Sequence, residues 1–527
     1  MSTNSSNVPL NNCGVTQPRT FVSLSENQKR WQWVNNNDFY ALLPASYYSF
    51  YNNWVRLWLY WADGFVPWIH GTANGLLSTS VGTMIVDRAT DCVFGGNLMF
   101  ANARKPIERV DKGDGKSIGK ALDFISNDWN LAVDLKARIK LAIKYAFAGG
   151  FSILKINKHE GELWIDALRA DRFYLAKTSR GEIFKCVSLL NFYEDTTQKN
   201  NSKRYALIEE RRYEEIGMFG KKIPVVEYKM YETSTPIQYF TGAHDSFIHW
   251  EQLPKAVREA FKSEYSFKLN EPQAMNGLSD LGVYLLKGND TVQNVPQLDL
   301  GESILANVMN YLYEYDFYNT AFNTDMYLAR GRILIPKYMQ SPKSVANNVP
   351  NVGLDDFAYT KVETANPDAL KPEAIQFELR SEQWKEARNT LLENIATNIG
   401  FSVSTIASYL NDQSNRTARE VSAEESATTL FIENNRRRFE APINDMLKAV
   451  LRFYGYVDDV EIRWSRAGMT NQTVLVDTLT KAVGAGLISQ KKAHDQYNYD
   501  DDEEQNAEDY ILVEKEQAQR QNSLFGE

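Results

Sequence analysis

The hydrophobic period of the chain changes twice, and this constrains the fold more than any motif does. Residues 119–148 repeat at helical spacing and stop at Gly149-Gly150, a sequence suited to a helix C-cap. From Phe151 the period becomes two. Phe151-Ser-Ile-Leu-Lys-Ile, Glu162-Leu-Trp-Ile-Asp-Ala-Leu, Ile183-Phe-Lys-Cys-Val-Ser-Leu-Leu, Tyr205-Ala-Leu-Ile-Glu-Glu-Arg and Val225-Val-Glu-Tyr-Lys-Met-Tyr all alternate. They predict strands, and His159-Glu-Gly predicts a hairpin turn between the first two. Near Asp299 the helical period returns, with Asp299 as N-cap, Glu302 at N3, and Ile304, Leu305, Val308, Met309, Leu312 and Phe322 on the apolar positions. The expected class is therefore α+β, an antiparallel sheet packed on helices, followed by long helices.

The remaining elements follow from the same signals. Residues 81–100 read as a helix with Val81, Met84, Ile85, Ala89, Cys92 and Val93 on one face, and residues 251–300 read as irregular. Gly331 ends the helix after Asp299, and Arg332-Ile-Leu-Ile-Pro begins a short strand. Residues 337–377, rich in proline, read as a loop-rich insertion. A second long helix begins near Ser381 and stops at Gly400. Residues 401–416 are mostly polar and uncharged. Thr417 and Glu420 then form a capping box opening a third long helix towards Tyr454, which Pro442 is expected to kink or divide. Gly455 ends it, Val460-Glu-Ile-Arg-Trp is a strand, and 471–483 and 489–497 are short helices.

Composition removes several function classes. Net charge is −9, from 58 basic and 67 acidic residues, whereas a protein that grips nucleic acid through phosphate neutralisation should be basic. From Asp495 to Glu516 ten acids stand against one Lys. Cys13, Cys92 and Cys186 are odd in number and far apart, which argues against a disulfide framework and against paired-cysteine zinc sites. The longest apolar run, Leu141 to Leu154, has 14 residues and contains Lys144, too short for a membrane span. Residues 1–18 are polar and lack the apolar core of a secretory signal, so a soluble protein of a reducing compartment is expected. Residues 1–24 read as a flexible arm. The aromatics from Trp31 to Trp68 supply core or subunit-contact area, with a sugar-stacking surface as the alternative.

No catalytic constellation emerges. Gly113-Asp-Gly-Lys-Ser lacks the first glycine of a phosphate loop, since position 110 is Val, and no apolar strand leads into it. His244 and His249 are five apart, off the shared helical face that a zinc pair needs. Asp355-Asp356, Asp458-Asp459 and Asp500-Asp501-Asp502 read as solvated carboxylates. Arg436-Arg437-Arg438 spreads around a helix and is read as salt-bridging rather than as a phosphate clamp.

The order of segments carries a resemblance. Phe377-Glu-Leu-Arg-Ser-Glu-Gln-Trp, Ile399-Gly-Phe-Ser-Val-Ser-Thr and Arg416-Thr-Ala-Arg-Glu-Val-Ser-Ala-Glu-Glu-Ser resemble the portal, or head–tail connector, family of tailed phages common on Gram-positive hosts. Arg419 stands where that family usually has Thr. Ala142-Ile-Lys-Tyr-Ala-Phe-Ala-Gly-Gly-Phe-Ser-Ile-Leu-Lys, Asp171-Arg-Phe-Tyr and Gly181-Glu-Ile are similar to its wing region, and the likeness spans roughly residues 50–515.

The resemblance implies a portal fold in regions: a wing over 25–300, stem helices over 301–329 and 381–400, a clip over 330–380 and a tunnel loop over 401–416. A long wing helix over 417–455, a wing strand over 456–470 and a crown with an acidic tail over 471–527 complete it. It implies a dodecameric ring at one capsid vertex of the virion, assembled in the host cytoplasm, through which double-stranded DNA is packaged and ejected. The implied partners are terminase, the major capsid and scaffolding proteins and a head-completion adaptor, with no membrane, no cofactor and no catalysis. By position, Ser402, Ser404, Thr405, Ser408, Asn411, Asp412, Gln413, Ser414, Asn415 and Arg416 would face the DNA. Arg332, Lys337, Lys343, Asp355, Asp356 and Lys361 would form the clip docking surface. Uncharged polar groups suit such a loop, because strong phosphate pairing would trap DNA that must slide past. A carbohydrate-active or nuclease enzyme, and another virion ring such as an adaptor or baseplate component, stand as alternatives. The order of long helix, insertion, long helix, polar loop and long helix favours the portal.

Overall fold

The computed structural model describes residues 45–64, 66, 76–95, 98–102, 118–159, 161–177, 181–195, 203–216, 221–232, 248–264, 268–289, 299–328, 332–336, 359–362, 373–375, 380–407, 418–464, 472–485, 489, 490 and 493. In chain order the elements begin with α1 (Ala45–Phe50), which passes through a π turn (Tyr51–Val55) into α2 (Arg56–Ala62). Next come α3 (Val81–Phe94), β1 (Leu98–Asn102), α4 (Ile118–Asp123), a second π turn (Phe124–Trp129), α5 (Asn130–Val133) and α6 (Leu135–Gly149). The strands β2 (Phe151–His159), β3 (Glu162–Arg169), β4 (Phe173–Lys177), β5 (Ile183–Asp195), β6 (Lys203–Ile216) and β7 (Lys221–Glu232) follow. After α7 (Lys255–Glu264), β8 (Gln273–Ala274) and β9 (Val283–Lys287) comes the long α8 (Met309–Leu328). Three short strands, β10 (Arg332–Pro336), β11 (Tyr359–Val362) and β12 (Glu373–Ile375), lead to α9 (Ser381–Ile399) and α10 (Val403–Ala407). The longest helix, α11 (Ala418–Phe453), precedes β13 (Val460–Trp464) and α12 (Gln472–Gly484).

The chain divides into two compact units. The smaller comprises Met1–Ser49, Ser188–Glu210 and Glu227–Pro272, and the larger takes the remainder. The smaller unit has its own core, with Tyr193, Tyr205, Leu207 and Met230 of the strands packed on Leu253, Val257 and Phe261. Helix α7 sits in the stretch expected to be irregular. Its apolar residues Val257 and Phe261 are four apart, so they share one face. Lys229 pairs there with Glu210 at 3.3 Å and with Glu227 at 3.1 Å.

In the larger unit, β2 pairs antiparallel with β3 through the predicted hairpin, His159 opposite Glu162, and with β9 on its other side. Helix α6 packs on this sheet. Gly150 makes the corner between them at φ +90°, and a Cβ there would stand 3.0 Å from the backbone of Glu302 and Ser303. The apolar run Leu141 to Leu154 is thus a buried helix–strand corner, and Lys144 escapes it to pair with Asp87 at 2.5 Å. Part of the aromatic-rich start lies here. Trp58, Tyr60 and Trp61 are buried, and Phe50 packs edge-on to Trp58 and stacks on Phe151. Phe147 meets Phe431 and Phe439 of α11, so the core runs from the first helices to the last long one. The five-stranded sheet has the order β4-β5-β6-β7-β8. In this unit Arg211 of β6 donates to the carbonyls of Ile156 and Leu281 and to Asn157 Oδ1, tying β6 to the central strand β2 of the three-stranded sheet and to the residues just before β9. The class is α+β, as expected.

Several expectations need correction. The helix over 81–100 ends at Phe94, and Leu98–Asn102 is a strand paired antiparallel with Val460–Trp464, Leu98 opposite Trp464. Its short apolar run fits either period, and only a strand more than 300 residues away decides it. The helix over 119–148 is broken at Asp134, which adopts φ 52°. Asp299 is no N-cap: it sits at φ 42°, accepts Lys287 Nζ at 2.6 Å and Lys177 Nζ at 3.3 Å, and the helix starts ten residues later at Met309. Two cations outweigh the one orphan amide a cap would satisfy. Helix α11 runs through Pro442 as one element. Buried Phe439 and Ile443 on either side hold it there against the lost hydrogen bond. The loop-rich insertion contains a small sheet of order β11-β10-β12, with β10 parallel to β11 and antiparallel to β12. The helix expected over 489–497 lies mostly outside the described residues.

Candidate functional site: a helix pair and a hydroxyl corner

Helices α8 and α9 lie against each other on either side of the three-stranded insertion. Near their insertion ends Asp325 Oδ2 accepts Trp384 Nε1 at 2.8 Å and an Arg380 guanidinium nitrogen at 2.8 Å. The hydrogen bond from Trp384, then that from Arg380, holds the Asp325 carboxyl below its ordinary range. Arg380 also lies over the Trp384 ring, and Tyr318 meets that ring edge-on at 5.6 Å. Lower down, buried Asp316 accepts the Thr79 amide at 3.0 Å and its hydroxyl, while Leu77 N donates to Thr320 Oγ1 at 3.0 Å. These bonds clamp residues 77–79 onto α8.

Helix α9 ends where sequence said. Gly400 takes φ +91°, its N–H bonds the Thr397 carbonyl, and Phe401 N–H bonds the Ala396 carbonyl at 2.9 Å. That is the Schellman arrangement, which turns the chain at once. Ser402 and Thr405 then meet Thr428 of α11 in a closed hydroxyl cluster. Ser402 N donates to Thr428 Oγ1 at 2.9 Å, Ser402 Oγ and Thr405 Oγ1 are 2.7 Å apart, and Thr405 and Thr428 hydroxyls are 2.8 Å apart. All three residues are buried. Phe401 closes the corner against Phe431 at 4.6 Å.

Within the polar segment, Ser402 and Thr405 are buried and fasten one end of it to α11, because buried hydroxyls must find partners. Residue 404 lies on α10. Ser408, Asn411, Asp412, Gln413, Ser414, Asn415 and Arg416 lie outside the described residues. Of the docking residues, Arg332 lies at the start of β10 and Lys361 in β11, within the same small sheet. Lys337, Lys343, Asp355 and Asp356 lie outside the described residues.

The three consecutive arginines point to three targets. Buried Arg436 donates to the Val93 carbonyl at 2.8 Å and covers the Trp464 ring; Arg437 reaches Glu433 at 3.8 Å; Arg438 donates to the Gly288 carbonyl and to Asn435 Oδ1. Arg437 forms a salt bridge of the kind expected of the run, and Arg436 and Arg438 each also donate to a backbone carbonyl. Asp459 is likewise paired, with Arg452 at 2.6 Å. Sequence reasoning missed Thr428, Asp316, Asp325 and the Lys177–Asp299–Lys287 group. Asp316 had a visible signal, a lone acid between Tyr315 and Phe317. Thr428, beside Thr429 in a polar stretch, had none.

Among the described residues no group of three His, Cys, Asp or Glu side chains is placed to hold a metal ion, and no helix is long and apolar enough to cross a membrane. Residues 83–521 match the model of the family described as phage portal protein, SPP1 Gp6-like. No curated protein matches the chain.

Proposed function

Because the chain belongs to the phage portal protein family, SPP1 Gp6-like, we propose that about twelve copies close into a ring around a channel for double-stranded DNA. The ring sits at one capsid vertex, passes DNA during packaging and ejection, and docks terminase and later the head-completion adaptor. The family is a structural one, and ATP hydrolysis on this reading belongs to terminase. The carrying observation is the order of elements inside the matched span: α8, the small insertion sheet, α9, the polar segment and α11.

On this reading the wing takes 25–300 with the helix 417–455 and the strand 456–470. The stem takes 301–329 and 381–400, the clip 330–380 and the crown 471–527. The hydroxyl corner supports a narrower tunnel loop. Ser402, Thr405 and Thr428 are its anchor, and the DNA-facing part is 408–416, whose Ser, Asn and Gln side chains touch phosphates without binding them tightly. A net charge of −9 per copy repels DNA on average, which suits a conduit rather than a clamp.

Two measurements test this. Negative-stain microscopy of the purified protein should show rings with a central hole, and monomers with hydrolytic activity would overturn the proposal. Deleting Asn411 to Asn415 should leave ring assembly intact and impair DNA packaging or retention. Fully packaged phage from that deletion would remove the tunnel-loop assignment.

A further inference from the structure

Helix α8 is apolar on more sides than its own chain covers. Leu312 and Tyr315 are buried inward, while Tyr313 and Phe317 stand 42 % and 49 % exposed. The exposed pair is four residues apart and forms one aromatic stripe, with exposed Glu314 at its margin. An exposed aromatic stripe on a helix is surface that a contact with another molecule would bury.

A groove opens on another side of the same helix, between α8 and the first turns of α9. It is lined by Tyr318 and Phe322 of α8 and by Trp384, Lys385 and Arg388 of α9. The groove continues the buried seam formed further along α9 by Leu391, Leu392 and Ile395. Its charged groups are Lys385 and Arg388 against Glu382, a positive excess where the stripe carries the acid Glu314. The Arg388 Nε donor is buried and has no hydrogen-bond partner within the chain. A buried donor without an acceptor is costly, and an acceptor brought by another molecule would relieve it.

We propose that stripe and groove are the two halves of one contact between neighbouring copies of this chain. Tyr313 and Phe317 of one copy seat against Trp384 and Phe322 of the next, and Glu314 faces Lys385 and Arg388. Aromatic complementarity and the groove's positive excess, two cations to one acid, both select this occupant. The contact rests on the ring-forming portal reading and gives it a residue-level interface. Phe317 and Phe322 are five residues apart, which turns them about 140° from each other on the helix. The contact therefore joins unlike faces. Head-to-tail contacts of that kind repeat from copy to copy and close into rings, whereas a self-complementary face stops at a dimer.

The test is disulfide trapping in the full-length chain. Phe317→Cys and Lys385→Cys are combined in one variant, with each single variant and the unaltered chain as controls. After oxidation, the double variant should run on a non-reducing gel as a ladder extending beyond dimers. Each single variant should match the unaltered chain. Rings in the microscope without a ladder, a product confined to dimers, or an internally bonded monomer would overturn the proposed contact and leave the portal reading standing. An internally bonded monomer would mean that stripe and groove meet within one chain. Absence of rings in the unaltered protein would overturn the portal reading itself. Charge exchange supplies a second readout that does not depend on cysteine geometry. Glu314→Lys should reduce ring yield about tenfold, and adding Lys385→Glu should restore most of it. Failure of that restoration, with both variants folded by circular dichroism, counts against the pairing.

Discussion

Arg169 lies inside the larger unit with carboxylates on two sides. Its Nε and one terminal nitrogen bond the two oxygens of Asp171 at 2.9 and 2.7 Å, and the other terminal nitrogen reaches Asp63 at 3.2 Å. The side chain of Asp171 is only 2 % exposed. Burial by itself raises the Asp171 carboxyl, but the guanidinium, through its charge and its hydrogen bonds, outweighs burial and holds it below the ordinary range. A folded value below the unfolded one means that this stabilisation is complete above the ordinary carboxylate range. It is lost as pH falls through the folded value. Asp63 works in the opposite sense: burial raises it more than Arg169 lowers it, so its contribution fades as pH rises through the raised value. Arg169→Met strands a buried carboxylate and should cost about 3 kcal/mol in urea unfolding at neutral pH. Asp171→Asn should flatten the acid limb of a stability profile taken down to about pH 3. An unchanged acid limb would show that other carboxylates govern it.

At the scale of elements, the corner after α9 joins two long helices through three hydroxyls. Thr428→Val keeps the shape of the side chain and removes its oxygen. Ser402 N–H and the Thr405 hydroxyl then lose their shared partner, at a cost of about 1–3 kcal/mol. Thr428→Ser should recover most of it. Hydrogen exchange over 402–407 should quicken in the Val variant and stay near its original rate in the Ser variant. Equal exchange in both would mean that the Phe401–Phe431 contact, rather than the hydroxyls, holds the corner. The end of α9 was readable because Gly400 carries its own conformational preference. The start of α8 was not, because Asp299 has a side chain equally suited to a cap and to an ion pair. Which role it took depended on Lys177 and Lys287, one in β4 and the other in β9.

Over the whole molecule, two units with separate cores share three strands, since β5, β6 and β7 each contribute residues to both. Phe261 is buried in the smaller core and meets Trp250 edge-on at 5.5 Å. Phe261→Ala should cost about 3 kcal/mol there. Faster hydrogen exchange should then be confined to 188–210 and 227–272, with α6 and α11 unaffected. Loss of protection throughout would show that the two units unfold as one. The larger unit draws its core from both ends of the chain, with Phe50 on Phe151 and Phe147 on Phe439. Neither unit is therefore a single run of consecutive residues.

The amino-acid order by itself determined the elements whose cause is local. The strands from Phe151 onward follow from alternation, the hairpin at His159-Glu-Gly from its turn residues, and the helix ends at Gly149-Gly150, Gly400 and Gly455 from backbone freedom. It also carried the family, because a portal subunit is recognised by the order of its segments, which is a one-dimensional property. Tertiary structure decided whatever needs a distant partner. Leu98–Asn102 became a strand through Val460–Trp464, Arg436 and Arg438 found the backbone carbonyls of Val93 and Gly288, and Ser402 and Thr405 were fastened to α11 by Thr428. Short apolar runs, charged side chains and hydroxyls each have several low-energy uses, and the choice among them is made by whichever group the fold brings within about 3 Å.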